Sequence, residues 1–186
     1  MKKMLAVLIA VLILAGCANS GDGMSRAMAL RERIMKSEGC VFSTVITADY
    51  GNKLYEFTLD CKTDSLGNLT FEVMKPASIV GITGTISGNG GHLTFDDKAL
   101  AFETMADGMI TPVSAPWVLI NTLRSGYLSA CGTDGEHLKI LLDDSYKEEA
   151  LRLEVWVDSQ DRPVKTEILW KGSRVLSLDV KDFKYL

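Results

Sequence analysis

The side chains that most often do chemistry are scarce here, and their spacing excludes more than it suggests. There are two histidines. His92 follows Asn89-Gly90-Gly91 and His137 follows Gly135-Glu136, and neither has a second histidine or a cysteine at the short spacing from which zinc sites are built. Both read as turn residues. Asp96-Asp97 and Asp143-Asp144 are paired carboxylates, but no loop of alternating oxygen ligands surrounds either pair, so solvated turns explain them better than calcium. The stretch from Gly81 to Gly91 holds five glycines. It lacks both the Lys-Ser/Thr ending of a phosphate loop and the dinucleotide-binding spacing ahead of a helix. No Gly-x-Ser-x-Gly elbow presents a serine nucleophile. The expectation is a chain without a catalytic set, a metal or a cofactor.

Cysteine is where chemistry is expected. Lys2 and Lys3 are followed by an apolar run and then by Leu14-Ala15-Gly16-Cys17. From Met4 to Ala15 the run covers 12 residues, whereas a helix that crosses a bilayer needs about 20. A positive start, a short apolar stretch and small residues before the cut describe a signal peptide over residues 1–16. The four residues ending at Cys17 resemble the lipobox of bacterial lipoproteins. That resemblance implies diacylglycerol on the Cys17 sulfur and a further acyl chain such as palmitate on its amine. Two or three chains anchor stably where one binds only marginally. The place implied is the extracytoplasmic face of the cell membrane.

Cleavage at that point leaves 170 residues, enough for one domain with a core of its own. Loss of Lys2 and Lys3 takes the 20 basic residues to 18 against 24 acidic ones, a formal charge of −6. That sign excludes nucleic acid as the main partner, and without a basic cluster the lipid must anchor unaided by anionic headgroups. The body is expected to stand off the bilayer. Export also opens the possibility of a disulfide among Cys40, Cys61 and Cys131. Cys40 and Cys61 flank two strands around Tyr50-Gly51-Asn52-Lys53, so a hairpin brings them roughly opposite. A register slip defeats the strict geometry, and the alternative is three small buried apolar residues.

The elements that must position these groups are mostly strands. Residues 17–23, ending in Asn19-Ser20-Gly21-Asp22-Gly23, have the composition of a flexible tether. Met24, Ala27, Met28, Leu30, Ile34 and Met35 then share one arc of a helix, with Arg26, Glu32, Arg33 and Lys36 opposite. Arg31 interrupts the arc and reads as a snorkelling side chain at its edge. Beyond it, period two takes over. Tyr55, Phe57 and Leu59 alternate with Glu56, Thr58 and Asp60, and Leu69, Phe71 and Val73 with Thr70 and Glu72. Val80, Ile82 and Ile86 continue the pattern, Gly81 and Gly84 fit a sharply curved strand, and Asn89-Gly90 is a hairpin signal. Leu93 with Phe95 then pairs onward to Leu100 with Phe102. A second helix opens at Thr111-Pro112, carries Trp117, Ile120 and Leu123, and ends before Gly126. Strands resume through Leu138, Leu151–Val157, Val164–Trp170 and Leu176–Val180. About ten or eleven sequential strands with two helices predict a mainly antiparallel half-barrel over residues 24–186, its concave face covered by the helices. A β-sandwich is the alternative fold.

Leu153-Glu154-Val155-Trp156-Val157-Asp158, a polar turn, Arg162-Pro163-Val164-Lys165-Thr166-Glu167-Ile168 and the ending Val180-Lys181-Asp182-Phe183 resemble the closing strands of the LolA/LolB half-barrel lipoproteins. With the lipobox, the chain is similar to clostridial lipoproteins related to the germination protein GerS. The resemblance implies a fold and a setting, in two versions. One is a non-enzymatic scaffold for an envelope protein partner such as a cell-wall amidase in spore germination. The other is a carrier holding lipid or another hydrophobic ligand on the concave face, lined by Phe57, Phe71, Ile82, Trp117 and Trp170. Those same large residues are equally expected in a filled core. An envelope hydrolase is a third and weaker reading. Trp156 falls on the opposite side of its strand from Leu153, Val155 and Val157, where it is either a covered packing residue or an exposed contact for a partner.

Overall fold

Period-two alternation becomes eleven strands of a single antiparallel sheet. The computed structural model describes residues 20–186 except 50, 52, 96, 97, 103, 104, 107 and 108; the signal-peptide segment, Cys17 and Asp96-Asp97 lie outside the described residues. The strands are β1 (Cys40–Asp49), β2 (Leu54–Thr63), β3 (Leu69–Lys75), β4 (Thr83–Ser87), β5 (Gly90–Phe95) and β6 (Lys98–Phe102). A two-stranded ribbon of β7 (Met105–Ala106) and β8 (Met109–Ile110) follows. The last five are β9 (Tyr127–Asp134), β10 (His137–Asp143), β11 (Arg152–Val157), β12 (Pro163–Trp170) and β13 (Ser173–Tyr185). Two α-helices among the described residues, α1 (Ser20–Lys36) and α2 (Ala115–Ser125), complete the fold. The sheet runs β6-β5-β4-β3-β2-β1-β13-β12-β11-β10-β9, so two meanders are joined where the first strand pairs with the last.

Direct pairing lines up Phe57, Ile46, Leu178, Thr166, Val155 and Ile140 in one row across six strands. All but Phe57 are buried. A sheet this wide must curl, and interruptions of register in five pairings supply the bends, because an extra residue on one strand increases local twist. The clearest lies in β13. Val41 faces Lys184 while Ser43 faces Lys181, so β13 carries one residue more than β1 there, and Asp182 takes φ 53°. The alternation slips by one: Val180 points inward, Asp182 outward and Phe183 inward again, where its ring stacks on Phe42 at 5.5 Å.

The helices close the concave side. Ala27, Leu30 and Ile34 of α1 and Val118, Leu119, Ile120 and Leu123 of α2 join the buried cluster with the inward sheet residues. Each helix caps the other. Arg31 donates from Nε to Leu123 O at 2.9 Å and from its guanidinium to Gly126 O at 2.6 Å, satisfying carbonyls that the end of α2 leaves without helical partners. Arg124 reaches back to Ile34 O at 3.5 Å and to Ser65 O at 2.9 Å. Arg31 is therefore a helix cap, more specific than a snorkelling edge residue.

Several boundaries differ from the sequence expectation. Helix α1 begins at Ser20, so part of the segment read as a tether is already helical. Its apolar arc is split: Met24, Met28 and Met35 are exposed, because a helix lying on a sheet edge and one other helix has only a narrow face to bury. Val80 is exposed and Gly81 lies in a turn after the 3-10 turn Ala77–Ile79, with β4 starting only at Thr83. Gly84 does sit at a tight point, where a Cβ would meet Phe71 Cζ at 2.5 Å. Ser87 pairs with Gly90, so Gly88-Asn89 forms the two-residue turn, one position earlier than Asn89-Gly90. Leu100 is exposed.

Three buried hydroxyls, Thr44, Thr122 and Thr166, have no hydrogen-bond partner among the described residues. Removing such a group while keeping its shape relieves a desolvation cost of about 1–3 kcal/mol. Thr166→Val is accordingly expected to stabilise the protein by about 1 kcal/mol, raising its melting temperature by roughly 2–4 °C. A fall in calorimetric melting temperature would show that the hydroxyl has an unseen partner.

Candidate functional site

Alternation presents two surfaces, and the residues proposed for function divide between them. On the concave side Phe71 is fully in the core, and Phe57, Ile82, Trp117 and Trp170 are half-buried and packed against it. Helix α2 supplies Trp117 beside the buried Val118 and Leu119, so its side chains and the inward sheet residues pack on one another. A hollow of about 750 Å³ lies along β1 to β5 and the end of β13, lined by Asp60, Lys62, Thr70, Glu72, Thr83 and Thr85 together with Phe42, Cys61 and Phe71. Its polar side chains alternate with the buried Leu59, Cys61, Leu69, Phe71 and Gly84 along the same strands.

Trp156 stands on the outer face, half-buried. Its strand neighbours across the sheet are Lys139 and Lys165, whose ammonium groups lie 4.6 and 4.7 Å from the ring centre. The indole Nε1 donates to Asp134 Oδ2 at 2.8 Å. Lys139 also pairs with Glu154 at 2.7 Å and Lys165 with Glu167 at 2.8 Å. A hydrogen bond from Lys165 holds the Glu167 carboxyl below its ordinary value, against partial burial and with Arg174 adding to it. The result is an aromatic plate fixed by cations on both sides and by an acceptor at its edge. Such an array can stack on or hydrogen-bond to a partner surface; it holds no nucleophile placed for covalent chemistry.

A second cluster escaped the sequence reading. Arg26 donates to Asp161 Oδ1 at 2.8 Å and to Asp158 O at 3.2 Å. Arg33 donates to Gln160 O at 3.3 Å and lies 4.2 Å over the Tyr185 ring, while the Tyr185 hydroxyl donates to Asp161 O. Arg162 grips Asp158 within the same turn at 2.7 Å. The two arginines, read as the solvent face of α1, instead fasten that helix to the β11–β12 turn. The only available signal was their placement beside the apolar arc, which does not distinguish solvent from a neighbouring turn.

The remaining expected residues are structural. His92 is exposed on β5 and His137 opens β10. Asp143 binds Arg152 at 2.9 Å, and Asp144 accepts the Leu151 amide at 2.9 Å. Among the described residues no group of three or more His, Cys, Asp or Glu side chains is arranged to hold a metal ion.

Cys40, Cys61 and Cys131 are free thiols. Register is the reason: Phe42 faces Cys61, which places Cys40 across from Thr63, and a diagonal pair of this kind sits about 7–8 Å apart, beyond disulfide reach. Cys40 instead contacts Thr63 Oγ1 at 3.1 Å. Burial pushes the Cys40 thiol up to about 11 despite that contact, and burial likewise holds Cys61 well above the ordinary 9.0. Tyr185 is pushed up to about 12, again first by burial. The unfolded chain therefore releases these protons before the folded one does. Stability is complete below about pH 9 and falls as pH rises toward 11, by about 2 kcal/mol for Cys40 alone. Urea midpoints in reductant at neutral and alkaline pH should record that decline; an unchanged midpoint at high pH would mean that the thiols are not buried.

No protein-family profile matches the sequence, and no curated protein is significantly similar to it. Solved structures do match. A DUF1329 family protein from Desulfovibrio piger aligns with a TM-score of 0.50 at 10% identity, over 90% of this chain and 93% of the other. An outer membrane lipoprotein-sorting protein domain from Vibrio parahaemolyticus aligns with a TM-score of 0.50 at 9% identity, again over 90% and 93%. The chain shares the fold of these two structures. A chain from the structure of the CwlD amidase of Clostridioides difficile in complex with the GerS lipoprotein also aligns, with a TM-score of 0.44 at 14% identity over 86% and 93%, a likeness too loose to carry an argument about partners. At these identities the likeness speaks to architecture alone: an open, curled antiparallel sheet with helices on its concave side. No helix among the described residues is long and apolar enough to cross a membrane.

Proposed function

We propose that this chain is a non-enzymatic lipoprotein, held by acylated Cys17 on the extracytoplasmic face of the cell membrane, whose half-barrel binds another protein of the envelope. The observation that carries the reading is the filled concave side. Phe57, Phe71, Ile82, Trp117 and Trp170 belong to or pack on the core, which leaves the outer face, with Trp156 fixed between Lys139 and Lys165, as the surface offered to a partner. A cell-wall amidase acting in spore germination is the partner class that the sequence resemblance favours.

The test is capture of partners from envelope extract by residues 18–186, followed by affinity measurement with the purified partner for wild type and Trp156→Ala. A weakening of at least about tenfold without a change in melting temperature is expected, as for an interfacial aromatic anchor. Loss of binding together with unfolding would return Trp156 to a packing role. Acyl lipid recovered stoichiometrically on solvent extraction would replace this reading with that of a carrier. Turnover of peptidoglycan or ester substrates would replace it with that of a hydrolase.

A further inference from the structure

Helix α1 leaves an apolar strip that no other part of the described chain covers. Met24, Met28 and Met35 are exposed by 39%, 50% and 55%. At 3.6 residues per turn they fall within about 40° of one another around the helix and extend along about 16 Å of it. The strip lies roughly 105° round the helix from Ala27, Leu30 and Ile34, which face the core, on the far side of Arg31. Beside Met28 and Met35 lies a hollow that Ser25, Ala29, Arg31, Glu32 and Lys36 complete. Lys36 and Glu32 pair at 2.5 Å at its edge and are largely exposed. Contiguous exposed apolar surface marks a contact, and unbranched thioether side chains adapt to an irregular or fluid one.

Chain length determines what that contact is. Ser20, the first described residue, is already helical and lies three positions after Cys17, so at most about 11 Å of chain separates them. A helix tied so closely to acyl chains in a leaflet starts at the level of the headgroups. We propose that Met24, Met28 and Met35 insert at the boundary between headgroups and acyl chains, so that α1 lies along the bilayer as a second, non-covalent membrane contact. This inference rests on the acylation of Cys17. It replaces a body standing off on a tether with one laid against the membrane. With a formal charge of −6 after cleavage, the contact is apolar and should not depend on salt or on anionic lipid.

Methionine oxidation reads this directly, because peroxide converts an accessible thioether to its sulfoxide. The full acylated protein is placed in protein-free phosphatidylcholine vesicles, pulsed with peroxide and analysed by peptide mass spectrometry, with intact mass reporting the acyl chains. Met74, 42% exposed on β3, is the internal reference. Met24, Met28 and Met35 should oxidise at least about fivefold more slowly than Met74, at low and high salt alike. In an acylated Met28→Glu, Met35→Glu variant, Met24 should oxidise at the Met74 rate.

Acylated protein whose three methionines oxidise like Met74 overturns the docking and leaves the anchor in place. An intact mass without acyl chains overturns both. Protection that appears in native envelope but not in protein-free vesicles assigns the strip to a protein and overturns the proposal.

Discussion

Gly39→Ala is expected to cost at least about 3 kcal/mol, a large share of the stability of an ordinary domain. Gly39 joins α1 to β1 at φ 145°, where an L side chain is strained before any contact is counted. An added Cβ would lie 2.0 Å from Thr63 O and 2.8 Å from Thr63 C. Both are backbone atoms, so no rotamer change relieves the clash. The surrounding ladder is closely tied: the Leu186 amide donates to Gly39 O at 2.9 Å, the Glu38 amide to Leu186 O at 3.2 Å, and the Cys40 amide to Thr63 Oγ1 at 2.9 Å. Displacing β1 from β2 there disturbs all three and opens the central pairing of β1 with β13. Gly135→Ala is the control, because Gly135 also has positive φ but meets nothing within 4 Å. It should cost about 1 kcal/mol. Equal urea midpoints for the two variants would refute the close approach at Gly39.

The second large effect is expected at Leu119, a fully buried residue of α2. Leu119→Ala should destabilise by about 3 kcal/mol and lower the melting temperature by roughly 6–12 °C, from lost transfer free energy and an unfilled cavity. The size of the loss bears on function. A leucine bordering a cavity kept open for lipid has fewer contacts to lose, and its removal would cost near 1 kcal/mol, the transfer of little more than one buried methylene. A small loss would therefore favour the carrier, whereas a loss near 3 kcal/mol is what a filled half-barrel requires. The result should parallel the extraction experiment, since both ask whether space beneath α2 is occupied by protein or by ligand.

Much of the architecture was legible from period two alone. Leu153, Val155 and Val157 of β11 and Leu138, Ile140 and Leu142 of β10 are buried at alternate positions as their order predicts, because one face of a strand must meet the core for the sheet to be stable. The same reasoning placed Trp156 outside. It failed where the chain departs from strict alternation. Asp182 and Phe183 exchange faces through an extra residue, and a bulge leaves no mark in composition because it is defined by the partner strand.

The cysteines show the same division. Their type and number posed a pairing, and the flanking strands made a hairpin legible, but a two-residue offset in register left Cys40 against Thr63 and the thiols apart. On α1, hydrophobicity identified an apolar arc without revealing which part of it would be used. Ala27, Leu30 and Ile34 were taken by the core while Met24, Met28 and Met35 were left exposed, since the width of the covered stripe depends on the neighbours that arrive from elsewhere in the chain. Arg31, Arg26 and Arg33 likewise gained their roles from the end of α2 and the β11–β12 turn, far away in sequence. The order of residues by itself determined strand after strand, two helices and the scarcity of catalytic groups, because these follow from local periodicity and residue type. Which faces were filled, which thiols met and which apolar strip remained uncovered were decided only by tertiary packing, because each depends on register and contact between segments that the local pattern cannot relate.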